Sequence, residues 1–270
     1  MPIQIFPVQV FPFCEARVVA PQHTFRYGPV PTLTKSRVMA VCARPTFFSA
    51  TGLRHPARVS MSGAGPPFRL NAGGENRLVR LVDGPGATLF VHDPSRCQMS
   101  RQLMKFHSFD SYIIKNVLRA HVAVCGGREL LLDIGANLGV VAASAAELNV
   151  STLAFEPLSY NTELLAATAA RAGTTEHLAL FKLALSDKAG ELCIQPAYAH
   201  SPERNWGNGQ LVPLERCLRR NNTSPSERIR ISTLDHVLER LDLSAAPVGT
   251  IKVDVCALAA PLTTPALCAR

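Results

Sequence analysis

The chain has 270 residues, 47% of them hydrophobic, and a formal net charge of +8. That is enough for one full core with extensions, and no apolar run approaches the roughly 18 residues of a membrane-spanning helix. The charge does not mark a nucleic-acid partner, because residues 1–74 hold eight basic residues against the single acid Glu15, and the remaining 20 basic and 19 acidic residues nearly cancel.

In chain order, residues 1–74 scatter Pro, Ser, Thr and Arg among apolar residues with no sustained period of 2 or 3.6. A disordered extension is expected, and its basic, acid-poor character is that of an organelle transit peptide, plastid or mitochondrial. The opening MPIQIFPVQVFPF leaves a secretory signal as the alternative, although Pro2, Pro7 and Pro12 interrupt a helical core. GAGPP at 63–67 and NAGG at 71–74 read as a linker.

Residues 75–125 are expected to form an N-terminal β element and a helix. Two short apolar runs within 77–93 are split by Asp83-Gly84-Pro85-Gly86, which predicts a hairpin with a loop longer than two residues. Ile113, Ile114, Val117, Leu118 and His121 recur at helical spacing and predict an amphipathic helix over 108–122, N-capped by Ser108.

Residues 126–255 hold the pattern that organises the chain. LLLDIGANLGVVAASAAELNVSTLAFEP at 130–157 reads strand, glycine turn, small-residue helix, strand. α/β proteins use this unit to hold a nucleotide-like ligand over the carboxyl ends of parallel strands. The first run, 129–134, is apolar almost throughout, as a strand covered on both faces requires. Gly135 and Gly139 let the backbone approach a ligand whose space a side chain would take. Asn137 can hold the turn, and a helix starting near Leu138 turns free N–H groups toward the ligand. Glu156, at the tip of a second strand over 151–155, can accept both hydroxyls of a ribose. That arrangement serves NAD as well as S-adenosylmethionine. Asp133, just before the first glycine, separates them, since it can receive a methionine ammonium and would repel a pyrophosphate.

Further along, a helix is expected over 158–171 with Gly173 as its stop, and a third strand over 180–185 ends at Ser186 and Asp187, which could meet an adenine edge. Asp187 is equally a turn former. A polar loop over 198–209 could close over the site, and RIRIS at 228–232 alternates like a strand edge. Asn221 and Asn222 begin overlapping glycosylation sequons that matter only on a secretory route. STLD at 232–235 opens a helix, and a fourth strand over 250–255 puts Asp254 at its carboxyl end. The eight cysteines form no CxxC pair and no metal-ligand spacing, so buried or idle thiols and no metal are expected.

DIGANLG, AFEP, Asn161 within YNTELL, ALSD at 184–187, NWGNG at 205–209, STLD and IKVDV at 251–255 together resemble the FkbM-type S-adenosylmethionine-dependent methyltransferases. The resemblance covers about residues 100–255 and implies the Rossmann-like doubly wound sheet of class I methyltransferases, with O-methylation of a hydroxyl on a small molecule, sugar or lipid-like acceptor. After KVDV the relatives continue with an acid, a glycine and further strands. This chain instead reads CALAA and ends in PLTTPALCAR, with Pro261 and Pro265. The expectation is a sheet lacking its last strands, an uncovered edge beyond the fourth, and an irregular tail over 256–270 from a frame shift, a splice product or a misread gene end.

Three functions follow. The first is a methyltransferase with Asp254 orienting or helping to deprotonate the acceptor hydroxyl and S-adenosylmethionine held by Asp133, Gly135, Asn137, Gly139, Glu156, Ser186 and Asp187. The second is a noncatalytic fold that binds the cofactor or a partner. The third is an NAD-dependent oxidoreductase, disfavoured by Asp133 and by a turn that is not GxGxxG.

Overall fold

The computed structural model describes residues 37–40, 77–125, 129–196, 209–212, 214–218, 226–243 and 246–254. In chain order these form β1 (Arg37–Ala40), β2 (Arg77–Arg80), β3 (Thr88–Val91), α1 (Gln98–Phe106) and α2 (Leu118–Cys125), the last entered through a π turn at Ile113–Val117. Then come β4 (Leu130–Ile134), α3 (Val140–Glu147), β5 (Thr152–Phe155), α4 (Ser159–Ala172), β6 (Leu178–Phe181) and β7 (Ala184–Leu185). The remainder is β8 (Gly190–Pro196), β9 (Gly209–Val212), α5 (Glu215–Leu218), β10 (Glu227–Ser232), α6 (Leu234–Arg240) and β11 (Val248–Val253).

The main sheet has the order β1-β11-β4-β5-β6, and its last four strands are parallel. Every residue of β4 and β5 is buried, because helices cover both faces. Leu131 packs with Val140 and Val141 of α3, while Leu130, Leu132 and Ile134 pack with Leu234 and Val237 of α6 on the other face. Ala142 and Ala146 of α3 meet Ala154 and Ala169, so the small residues bring two helices close against β5. The result is a mixed α/β fold compatible with a Rossmann-like sheet: β4, β5 and β6 run outward in one direction, and β11 returns to the other side of β4.

Four expectations change. Within the stretch expected to be without order, Arg37–Ala40 is a strand, and it lies antiparallel along β11. The edge expected to be uncovered is therefore paired, by backbone from the other end of the chain. Second, the run over 180–185 is not one strand: Leu183 N–H turns back to the Phe181 carbonyl, and β7 leaves for a second sheet of order β7-β10-β8-β9. RIRIS is accordingly interior, paired with both β7 and β8. Third, Ser108 caps no helix. Its hydroxyl and that of Ser111 donate to Asp83, which also pairs with Lys115 at 2.6 Å, so the hairpin loop is fastened to the π turn. Fourth, Cys193 and Cys217 form a disulfide that ties α5 to β8, and Cys125 is disulfide-bonded as well; Cys97 is a buried thiol whose sulfur accepts the Ser100 N–H. The spacing of 24 residues carries no signal of a bond that depends on two elements meeting across the second sheet.

The hairpin and the helix stops follow the sequence reading. β2 and β3 pair antiparallel around the Asp83-Gly84-Pro85-Gly86 loop, and Gly173 ends α4 at φ 71°. The tail over 256–270 lies outside the described residues, as does the expected polar loop except for Gly209, which begins β9.

Candidate functional site

The strand order reverses between β4 and β11, and in open α/β sheets ligands bind outside the carboxyl ends of the strands at such a switch point. Here the backbone turns sharply: Gly135, Asn137 and Gly139 have φ of 77°, 53° and 80°. These are left-handed values that glycine adopts freely and asparagine tolerates. The turn is real, but its residues do not all serve as expected.

Asp133 is fully buried and already has protein partners. Its Oδ2 accepts the Ala142 N–H at 3.1 Å, near the start of α3, and its Oδ1 lies 2.9 Å from Lys252 Nζ. Lys252 stands beside it in register on β11 and also donates to the Gly135 carbonyl at 2.8 Å. The ammonium that the sequence reading brought to Asp133 from a ligand is thus supplied by the protein, and Asp133 no longer discriminates between S-adenosylmethionine and a dinucleotide. Gly139 is also corrected. A Cβ there would overlap Leu165 Cδ1, so the missing side chain makes room for α4 rather than for a ligand.

Further carboxylates act on the Lys252 charge. Burial works against the Lys252 charge, yet Asp133, Asp254 and Asp110 outweigh it and hold its pKa above the ordinary lysine value. Asp254 extends the ladder beyond β11, its N–H donating to the Ile134 carbonyl at 2.9 Å, and its side chain is half-buried. Asp110, also half-buried, precedes the π turn with φ 53°, its carbonyl accepting from Ile113 and Ile114. Burial, with repulsion from Asp254 and Asp133, raises its pKa to about 6 despite Lys252. Three carboxylates around one ammonium make the switch point acidic, which suits a ligand ammonium or sulfonium and opposes a pyrophosphate.

Glu156 closes the other side. Its Oε1 accepts the Leu158 N–H at 3.0 Å and Asn161 Nδ2 at 3.2 Å; its Oε2 accepts the Asn137 N–H at 2.9 Å. Asn137 therefore holds the turn through its backbone. A carboxylate has about four acceptor positions. Among the described residues one remains, on Oε2, so Glu156 can take one hydroxyl rather than the pair. Burial lifts its pKa to about 7, against those three hydrogen bonds and the charge of Lys252. Asn161 in turn meets His92 Nε2 at 2.8 Å, a buried histidine whose pKa burial lowers.

Ser186 and Asp187 stand apart from this cluster. Ser186 N–H bonds to the Ser232 carbonyl, and its hydroxyl donates to Asp187 Oδ1 at 3.1 Å, in the turn that leaves β7. They follow β7 of the second sheet, five and six residues beyond Phe181, whose carbonyl accepts the Glu156 N–H.

Asp110, Lys252 and His92 escaped the sequence reading. A lysine inside the apolar run TIKV was a legible signal, because a charge in a covered strand demands a partner. Asp110 and His92 carry no such mark. Among the described residues no group of three or more His, Cys, Asp or Glu could hold a metal ion, and no helix is long and apolar enough to cross a membrane. No family model, curated protein or solved structure matches the chain.

The residues present fit S-adenosylmethionine in two respects. The acidic switch point complements its ammonium and sulfonium, and Glu156 keeps an acceptor for a ribose hydroxyl. They do not assign Asp133 to it.

Proposed function

We propose that the chain binds S-adenosylmethionine across the carboxyl ends of β4, β5 and β11 and methylates a hydroxyl on a small-molecule, sugar or lipid-like acceptor, as the FkbM-type enzymes it resembles do. The strands β6-β5-β4-β11 correspond in this reading to one half and the first return strand of a class I methyltransferase sheet. The observation that carries it is the switch point, where the buried Lys252 pairs with Asp133 and also lies within the electrostatic reach of Asp110 and Asp254. A crevice with this excess of carboxylate favours a cationic ligand over a dinucleotide.

Bound there, the cofactor supplies an electrophilic methyl group. The protein's part is alignment, because an in-line displacement depends on the approach of the acceptor oxygen. Asp254 orients that hydroxyl and draws on its proton; Glu156 holds a ribose hydroxyl through Oε2; Ser186 and Asp187 line the adenine side.

Calorimetric titration with S-adenosylmethionine, S-adenosylhomocysteine and NAD tests the cofactor. Binding of the first two and not the third is expected, and binding of NAD alone sinks the reading in favour of an oxidoreductase. Transfer of labelled methyl to hydroxyl acceptors then separates an enzyme from a noncatalytic binder, with Asp254→Asn expected to lose far more in turnover than in cofactor affinity.

For the address, the acid-poor N-terminus supports an organelle, plastid or mitochondrion. The bonded Cys193, Cys217 and Cys125 favour the secretory alternative, since disulfides persist in oxidising compartments. Glycan attachment at Asn221 or Asn222 in cells would decide for the latter.

A further inference from the structure

The N-terminal hairpin reaches the candidate site through a directional chain of hydrogen bonds. When Glu156 is ionised it can only accept, so the atom of Asn161 facing Oε1 at 3.2 Å is the amide nitrogen. That fixes Asn161 Oδ1 toward His92, and because a carbonyl oxygen only accepts, His92 must donate from Nε2 at 2.8 Å. The ring is held in place by its edge-on contact with Tyr160, 5.3 Å between centroids, and it lies one residue beyond β3. His92 is 5% exposed and Asn161 fully buried, so water does not substitute for either bond. A second contact fastens the same hairpin to α4: the Phe90 N–H donates to Thr168 Oγ1 at 3.0 Å.

We propose that His92 and Asn161 are positioning residues, a relay by which the β2–β3 hairpin holds the Glu156 carboxylate in the one rotation that leaves a single acceptor position open to a ribose hydroxyl. The inference rests on the cofactor reading above and extends it: the hairpin is part of the ligand site. Without the His92 donor the Asn161 amide is free to turn, Oε1 loses one of its two donors, and the carboxylate can rotate away from its present aim. The charged group facing Glu156 is Lys252 from β11, and the titratable group behind Asn161 is the His92 ring, which burial keeps toward its neutral form.

The test is a double-mutant cycle on the full chain with S-adenosylhomocysteine as the probe, read by calorimetry. His92→Phe keeps a ring against Tyr160 and removes the donor; it should weaken binding about tenfold, the loss of roughly one hydrogen bond to a charged group. His92→Gln, which retains an N–H donor, should stay within about threefold of the native chain. Glu156→Gln should weaken binding as well, and in that background His92→Phe should add nothing, because the relay has no carboxylate left to aim. Purely structural damage from His92→Phe would be additive with Glu156→Gln and would not be relieved by His92→Gln; either result overturns the proposal. Failure of the native chain to bind S-adenosylhomocysteine overturns the cofactor reading and the positioning role with it. Binding by the native chain with additive mutations overturns the relay alone.

Discussion

At the scale of single residues the site is governed by how buried charge is satisfied. Asp133 and Lys252 are 0% and 3% exposed, so each depends on the other. Removing one partner of a buried pair strands a charge at a cost of roughly 3–5 kcal/mol, whereas replacing both with apolar groups is often nearly neutral. Asp133→Asn is therefore expected to lower the urea midpoint sharply, and adding Lys252→Met should recover most of the loss. Glu156 gives a second residue-scale prediction, in pH. Its pKa rises on folding from 4.5 to about 7, so the folded form holds the proton more tightly than the unfolded chain. The stability it contributes is present below about pH 4.5 and is lost as pH rises through about 7, in total roughly 3 kcal/mol. Asp110, raised to about 6, acts in the same direction. His92 and His121, both lowered by burial, act oppositely, adding stability above the ordinary histidine value that is lost as pH falls. Urea midpoints from pH 5 to 8 for the native chain and for Glu156→Gln isolate the carboxyl, and the variant should show the flatter fall between about pH 5 and 7.

At the scale of elements, turns and helix contacts decide which glycines matter. Gly139 combines φ 80° with a neighbour, Leu165, in the space of its missing Cβ. Gly139→Ala therefore meets both backbone strain and overpacking, together about 2–4 kcal/mol by thermal or urea unfolding. Leu165→Ala in the same chain should relieve the overpacking and leave the strain. Gly173, with the same sign of φ but open space around it, should cost less on the same substitution. The two sites look alike in sequence, since each is a glycine at a helix end. Helix limits were legible within a residue or two at α4, where Gly173 punctuates the chain. They were not at the start of α2, because Ser108, a good capping residue by type, is drawn to the buried carboxylate of Asp83.

At the scale of the whole molecule, the edge of the main sheet is closed by β1. Its four residues pair with Thr250 to Val253 of β11, so backbone from near residue 40 protects backbone near residue 250. Unpaired strand edges recruit other chains. A chain beginning at residue 45 is thus expected to self-associate with rising concentration in light scattering, and one beginning at residue 30 should behave as the full chain does. Equal behaviour of the two would remove β1 from any protective role. The second sheet is joined to the first at the start of α4, where the Ser159 N–H donates to Glu227 at 3.0 Å and Leu158 packs with Ile194 and Ile229. Leu158 also donates to Glu156, so this junction borders the site.

Local chemistry by itself determined the central unit. An apolar run ending in Asp133, a turn spaced by Gly135 and Gly139, an alanine-rich helix and a second run ending in Glu156 could fold only as strand, turn, helix and strand, because each step follows from period and backbone freedom within a few residues. Tertiary structure decided what those residues are for. Lys252, 119 positions after Asp133, claims the carboxylate expected to meet a ligand; Leu165 fills the space at Gly139; His92 reaches Glu156 through Asn161; β1 pairs with β11 across 210 to 216 positions. The reason is physical: hydrogen bonding and charge pairing act over a few ångströms of space, and the distance along the chain between the partners carries no record of them.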